Sequence, residues 1–513
     1  MDTVKYECKA DVPVIADVDV LVVGAGPGGF CAAVTAARQG KTVALAEHYG
    51  SPGGMANVGE ISPFMTNHHG DESLDKPLYV EWINRMRAYR SEGFAPTEVR
   101  RADDRNISRY GAMLAIEDML LDAGVKLFYH HTFFDVIKKD GRITAAIFTG
   151  KSGFSAIRAK MVVDSTGDGD VAAKAGCDFE FGNEDGFCQP MTLCFKLSHV
   201  DKSRTPGRKE ITELYLKAKE EGKINCPRED VLFFGDFEAD VVHFNTTRVI
   251  KHNATNAEEL SEAEILARRQ LREYLAFLRS TVPGYEHAEI HSVAAQIGVR
   301  ESRRILGLEY LTVEAFDRRA RFEDAIVRVN YPVDIHNPSG TGTILRHLGP
   351  DEYYEIPYGC IVPPAVKNLL VGCRGISVDH ALHSSMLAKV REATDGLGAE
   401  FAFQCTGVPA AAANAWKMVR RGGGLCEVGF FLPSGTCTID PHYDLCNKEV
   451  TAVGSWVYSP QDYPIAFAFL RRAAGIGLPM EKLVTHHIPL DRIQEALEVN
   501  VNMKGIKVAV IVD

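Results

Sequence analysis

The chain has 513 residues, 46% hydrophobic and 24% charged, an ordinary globular balance and enough length for two or three domains. Its net charge of −11, with no block of like charges, excludes a nucleic-acid role and an anionic membrane surface; Arg100, Arg101 and Arg105 read as a solvated face. No run approaches the roughly 18 apolar residues of a membrane helix, and the acidic opening MDTVKYECKADVPVIADVD is not a signal peptide, so a cytoplasmic location is expected.

The first element is the most informative. Asp19 to Glu47 reads DVLVVGAGPGGFCAAVTAARQGKTVALAE. An apolar strand runs into G-x-G-x-x-G at Gly24, Gly26 and Gly29, then an alanine-rich helix, a second strand and Glu47. Gly24 makes the tight turn, Gly26 lets backbone approach a pyrophosphate, and Gly29 lets the helix pack close to the sheet. The helix N-terminus offers free N–H groups and a partial positive charge, and Glu47 is placed to accept hydrogen bonds from a ribose. NAD and FAD both satisfy this pattern.

Helical text runs from about Pro77 to Gly93, and again over Tyr110 to Asp122, where Met113, Leu114, Ile116, Met119 and Leu120 face a core. A strand at Lys126 to His130 leads into FFDVIKKDGRITAAIFT, with Asp140-Gly141 as a hairpin turn. A long helix is expected from Ser261 to Arg279, starting at the N-cap candidate Ser261 with Glu264 three residues on. The twelve cysteines include no C-x-x-C, and Cys177, Cys188 and Cys194 have the wrong spacing for an iron–sulfur cluster. Most are expected to be buried small hydrophobes, with no metal site.

Several further motifs occur in order: a second glycine stretch GGMANVGEISPFM opening at Gly53 and Gly54, KMVVDSTGDGD (Lys160 to Asp170), QPMTLCFKL, QIGVRESRRILG and EIPYGCIVPPAVKNLLVGCRGIS. Together they resemble the FAD-dependent oxidoreductases of the two-dinucleotide-fold type that include relatives of the heterodisulfide reductase A subunit, over about Asp17 to Ser385. The resemblance implies an α/β fold: a Rossmann-like FAD-binding domain (14–190), an inserted α+β substrate domain (191–350) and a return to the FAD domain (351–389). It implies FAD as cofactor. Gly167 and Asp168 of the T-G-D motif would meet the ribityl chain or pyrophosphate, and Val136 would touch the adenine edge through its backbone.

From about Val390 (390–513) the chain resembles the coenzyme half of zinc-type medium-chain alcohol and polyol dehydrogenases. The resemblance rests on the strand ending Cys405-Thr406-Gly407, on DLCNKEVTAVGSW and on EKLVTHHIPLDRIQEAL. No second G-x-G-x-x-G precedes Val390, so the tail is expected to be a partial Rossmann segment left by a gene fusion or deletion, binding NAD weakly at best. Its strands, Ala399 to Gln404 and Leu425 to Gly429, suit a buried parallel sheet. The unpaired sheet edge would dock on the flavin domain or join copies into a homo-oligomer.

The candidate chemical groups are these. Arg300, Arg303 and Arg304 stand three and four apart, so on a helix Arg300 would share a face with one of the others. Arginine forks bind carboxylates, and cations near a flavin stabilise negative charge; the plainer alternative is an ion pair with Glu301 or Glu309. His380 and His383 follow the GCRGIS strand end, and His68 and His69 follow the second glycine stretch; either place suits a proton acceptor. Asn245, Thr246 and Thr247 could bond a polar substrate or cap a strand. The expected function is hydride transfer between a small polar substrate (a sugar, polyol or hydroxy acid) and flavin, with a separate electron acceptor not identified by sequence. The alternatives are a fusion remnant that binds FAD without turnover and, third, an NAD-dependent zinc-type dehydrogenase.

Overall fold

A computed structural model describes residues 11–382 except 63, 65–67, 70–71, 90–107, 184, 332, 339, 341–342, 350–351 and 381. In the tail it describes 399–404, 412, 415–416, 418–428, 436–439, 441–446, 448–454, 468, 472, 484–495 and 507–511. The chain divides into two compact units, Met1–Met386 and Leu387–Asp513. Among the described residues no helix is long and apolar enough to cross a membrane.

The first unit is built on a seven-stranded sheet. Its parallel part runs Lys126–Phe128, Val43–Ala46, Val14–Val23, Gly153–Asp164. Leu21 and Val22 in its centre are fully buried, as strands covered on both faces require. Helix Pro27–Arg38 covers one face through Gly29, Phe30, Ala33 and Val34. Beyond Gly153–Asp164 the sheet turns antiparallel through Arg142–Gly150 and Thr132–Lys139. The turn between those two is Asp140-Gly141, both in left-handed conformation at φ +53° and +76°, as a two-residue hairpin demands.

The insert is a separate α+β layer. Its antiparallel sheet runs Phe233–Gly235, Val242–Phe244, Phe195–Ser198, Glu289–Val293. Helices Arg208–Glu220 and Ala257–Thr281 pack on it, with Tyr215 and Tyr274 stacked at 5.5 Å in the core. The long helix starts four residues before the expected Ser261. Asn256 caps it, accepting from the N–H groups of Glu258 and Glu259 at 3.0 and 3.2 Å, while the Ser261 hydroxyl donates back to the Ala257 carbonyl.

After the insert the chain returns to the first sheet. Leu369–Val371 lies parallel to the end of Gly153–Asp164, pairing Leu369 with Val162 and Val371 with Asp164. The segment QIGVRESRRILG is not helical. Arg303–Ile305 is a short strand, antiparallel to Phe179–Phe181.

The second unit contains three parallel strands in the order Ala399–Gln404, Val419–Glu427, Thr451–Gly454, and a parallel pair, Val484–Pro489 with Lys507–Ile511. Val419, Leu425 and Val450 form a small core. The first strand is not buried on both faces as expected: Phe401 and Phe403, two residues apart and 4.9 Å between rings, are 50% and 68% exposed.

Candidate active site

The glycine loop forms a cradle at the end of the first strand. Gly24 turns the chain at φ +98°. The helix that follows has Gly26 as N-cap with no side-chain acceptor, and Pro27 in its first turn. The N–H groups of Gly28 and Gly29 precede the first intrahelical donor and are available to a ligand. A Cβ on Gly26 would meet only the Gly54 Cα, at 4.0 Å, so this side of the loop is open. The second glycine stretch closes the back: the Gly53 N–H donates to the Ala25 carbonyl at 2.8 Å.

Glu47 is buried and serves this loop directly. Its Oε2 accepts from the Ala25 N–H at 2.7 Å; its Oε1 accepts from the Tyr49 N–H at 3.0 Å and lies 2.9 Å from His48 Nδ1. Burial opposes ionisation, yet His48 and the two N–H groups outweigh it and hold the carboxyl below its ordinary range. A carboxylate has about four acceptor sites, two on each oxygen, so Oε2, with one bond made, keeps capacity for a ribose hydroxyl. An open loop face, first-turn N–H groups and an ionised acid fit a dinucleotide.

The T-G-D turn forms the neighbouring wall. Asp164, fully buried at the strand end, accepts from the Thr166 hydroxyl (2.7 Å), the Thr166 N–H (3.1 Å) and the Ala172 N–H (2.8 Å). Burial nonetheless pushes its pKa up to about 6. Gly167 turns at φ +89° against Arg374. Asp168 Oδ1 accepts from Ser302 Oγ at 2.6 Å and from Arg374 Nη2. Arg303 Nη1 donates to the Asp168 carbonyl at 3.0 Å and pairs with Asp170 at 2.8 Å.

Arg303 and Arg304 therefore separate by strand alternation rather than gathering on a helix face, and Arg300 lies before the strand. Arg303 braces the T-G-D turn. Arg304 is buried and binds Glu301, Glu180 and the carbonyls of Gly182 and Val378, which makes it the structural pin. Arg300 faces the insert instead, with Nη2 3.4 Å from Thr192 Oγ1 and 3.5 Å from Asn245 Oδ1. Thr246 and Thr247 are wholly buried, and the Thr247 hydroxyl bridges the Leu193 N–H and carbonyl; that is the strand-holding role.

His380 completes the constellation. Its Nδ1 lies 2.8 Å from Glu301 Oε1, while its Nε2 is buried with no protein partner among the described residues. The other Glu301 oxygen accepts the Gln189 N–H at 3.0 Å. Glu301 and Ser302 thus link His380 to the Asp168 turn, roles the sequence did not suggest because the partners lie 79 and 134 residues away.

The remaining expected residues fall elsewhere. Val136 lies on the outer strand Thr132–Lys139, opposite Ala146, and its N–H donates to Asp135 Oδ1 at 2.8 Å. His69 belongs to a two-residue strand paired with Glu72. His383 lies outside the described residues. Among the described residues no His, Cys, Asp and Glu grouping could hold a metal.

A sheet with a parallel core, a glycine cradle, an acid after its second strand and a T-G-D wall is the arrangement of a dinucleotide-binding domain. The chain belongs to the FAD dependent oxidoreductase family, whose model matches residues 19–389. A second model, zinc-binding dehydrogenase, matches residues 373–472. The chain thus joins a segment of the FAD dependent oxidoreductase family to a C-terminal segment that matches the zinc-binding dehydrogenase model. Among curated proteins, D-arabitol-phosphate dehydrogenase of Enterococcus avium is 28% identical over 125 residues, 24% of this chain and 34% of that protein. Sorbitol dehydrogenase of Halalkalibacterium halodurans is 26% identical over 137 residues, 26% and 38% respectively. The chain thus spans only about a third of the length of these curated relatives. Among solved structures, p-nitrophenol 4-monooxygenase PnpA of Pseudomonas putida DLL-E4 is 15% identical, covering 57% of this chain and 70% of that one, with a TM-score of 0.34.

Proposed function

We propose that the protein oxidises a small hydroxylated substrate by hydride transfer to FAD, with His380 as the proton acceptor. FAD, when bound, supplies the two-electron acceptor. The Gly24–Gly29 loop and helix N-terminus would hold its pyrophosphate, Glu47 its ribose, and the Asp168 turn the adjoining chain.

The observation that carries the reading is the His380–Glu301 contact. A carboxylate at Nδ1 fixes the tautomer with its proton on that nitrogen and leaves a lone pair on Nε2. That lone pair is buried and has no protein partner among the described residues, whereas buried polar atoms ordinarily find one. A substrate hydroxyl would supply it. As the C–H hydride leaves, the hydroxyl proton passes to Nε2, and Glu301 stabilises the imidazolium. A separate electron carrier then removes the two electrons.

The reading is tested by anaerobic mixing of the flavin-loaded protein with sugars, polyols and hydroxy acids. At least one class is expected to bleach the flavin absorbance. A fully loaded protein that none of them reduces would remove hydride transfer from such substrates.

A further inference from the structure

Three buried polar atoms without a protein partner among the described residues fall in one short stretch of chain: Arg374 Nε, Ser377 Oγ and His380 Nε2. Buried polar atoms ordinarily find partners, and a run of exceptions beside an open cradle is what the border of a ligand site looks like. His380 is assigned above to a substrate hydroxyl. Arg374 is a separate case, because it stands at the glycine loop.

Two contacts fix its place. After strand Leu369–Val371 the backbone of Gly372 and Cys373 lies flush on the first turn of helix Pro27–Arg38. A Cβ on Gly28 would be 2.0 Å from the Gly372 oxygen and 3.8 Å from the Cys373 nitrogen. Gly28 carries one of the two N–H groups available to a ligand. Arg374 then lays its guanidinium on Gly167, where an added Cβ would lie 2.8 Å from Nη1 and 3.2 Å from Cζ. Nη2 donates to Asp168 Oδ1, the one hydrogen bond the side chain makes among the described residues. A guanidinium has about five N–H donors, so most of that capacity is unused, and the side chain is 27% exposed, so part of it is reachable. Arg303, by contrast, is spent on the Asp168 carbonyl and on Asp170.

A pyrophosphate is doubly charged at neutral pH, whereas a helix N-terminus offers only about half an elementary charge. An aspartate next to it would repel a phosphate. A guanidinium bonded to that aspartate offsets the repulsion, and its remaining N–H groups have the planar geometry that suits phosphate oxygens. We infer that Arg374 binds the pyrophosphate of FAD, so that the cradle has two parts: backbone N–H groups from the glycine loop and a whole cation from the returning strand. The inference rests on FAD being the cofactor that the Gly24–Gly29 loop holds.

The test separates charge from scaffold. The flavin-free whole chain is titrated with FAD by calorimetry at about 0.05 M and about 0.5 M salt, which spans weak and strong screening. Arg374→Gln should weaken FAD at least tenfold at low salt and flatten the salt dependence, because the screened charge is gone. Arg374→Lys should keep the salt dependence and lie between the two in affinity, since lysine retains the charge without the fork; it serves if Arg374→Gln does not fold. Weaker binding with an unchanged salt dependence in Arg374→Gln would mean that the arginine acts only by holding the Asp168 turn, and overturns the inference. So do affinities within about twofold of wild type in the variants that fold. A wild-type chain that takes up no FAD removes the cofactor reading itself, and the inference with it.

Discussion

Gly26 and Gly29 lie three residues apart in one loop and are expected to fail in different ways when each gains a methyl group. Gly26 has φ −66° and ψ 179°, which any L-residue adopts, and its added Cβ meets nothing nearer than 4.0 Å. Alanine is a poorer N-cap than glycine, by about 1 kcal/mol or less, so Gly26→Ala should fold. Its methyl group, however, projects from the open face where the phosphates would lie. Losing one or two hydrogen bonds to a charged group, at about 1.5–3 kcal/mol each, corresponds to roughly ten- to ten-thousandfold weaker FAD binding. At Gly29 the added Cβ would lie 1.9 Å from the Gly24 carbonyl oxygen. Only backbone movement relieves that, and Gly29→Ala should lose about 3 kcal/mol or more, as overpacked sites do. Circular-dichroism melting of the apoprotein reads the stability loss, and fluorescence quenching on FAD addition reads the FAD affinity. A Gly26→Ala protein that binds FAD within about twofold of wild type would refute the assignment of this loop.

His380→Asn should retain full FAD content while flavin reduction slows by about a hundred- to ten-thousandfold, the usual worth of a positioned base; stopped-flow absorbance under anaerobic conditions measures it, and an unchanged rate would show the histidine to be structural. His243, buried in the insert beside Lys196, is held neutral with its pKa pushed down to about 4 from 6.5, burial first and Lys196 second. The folded state then binds fewer protons than the unfolded state between those values, so stability is lost as pH falls through 6.5 toward 4, by up to about 3 kcal/mol. Urea midpoints at pH 7 and pH 4 should differ less in His243→Phe than in wild type, and an equal difference counts against the burial argument. Calorimetric titration of the full chain with NAD should detect no micromolar binding attributable to residues 390–513, whose sequence has no glycine fingerprint of its own.

What could be read from the sequence was local. The Gly24–Glu47 unit declares itself because turn, cradle and acid lie within one βαβ, and Asp140-Gly141 because a two-residue hairpin admits few residue types. The arginine segment misled because spacings of three and four fit a helix, whereas its strand is defined by pairing with Phe179–Phe181, more than a hundred residues earlier. The Ser261 signal imitated a capping box one turn inside a helix already begun at Asn256. Glu301 looked like a salt-bridge partner and is one, to Arg304. Its second role, holding His380, depends on a tertiary meeting that no periodicity encodes.

The strand Leu369–Val371 has a consequence for how the protein is made. The loop holding Asp168 is finished by Arg374, which lies 206 residues further along the chain and reaches it only after that strand has joined Gly153–Asp164. A nascent chain that has emerged through residue 190 has its glycine loop but lacks this wall, and the whole insert must be synthesised before the wall can close. Pairings so distant in sequence form late, because the intervening chain must first be ordered. The cofactor site is therefore expected to mature near the end of synthesis of the first unit, with the insert already folded as an independent body. Truncations ending before Leu369 should release an ordered insert and an FAD domain unable to keep its ligand.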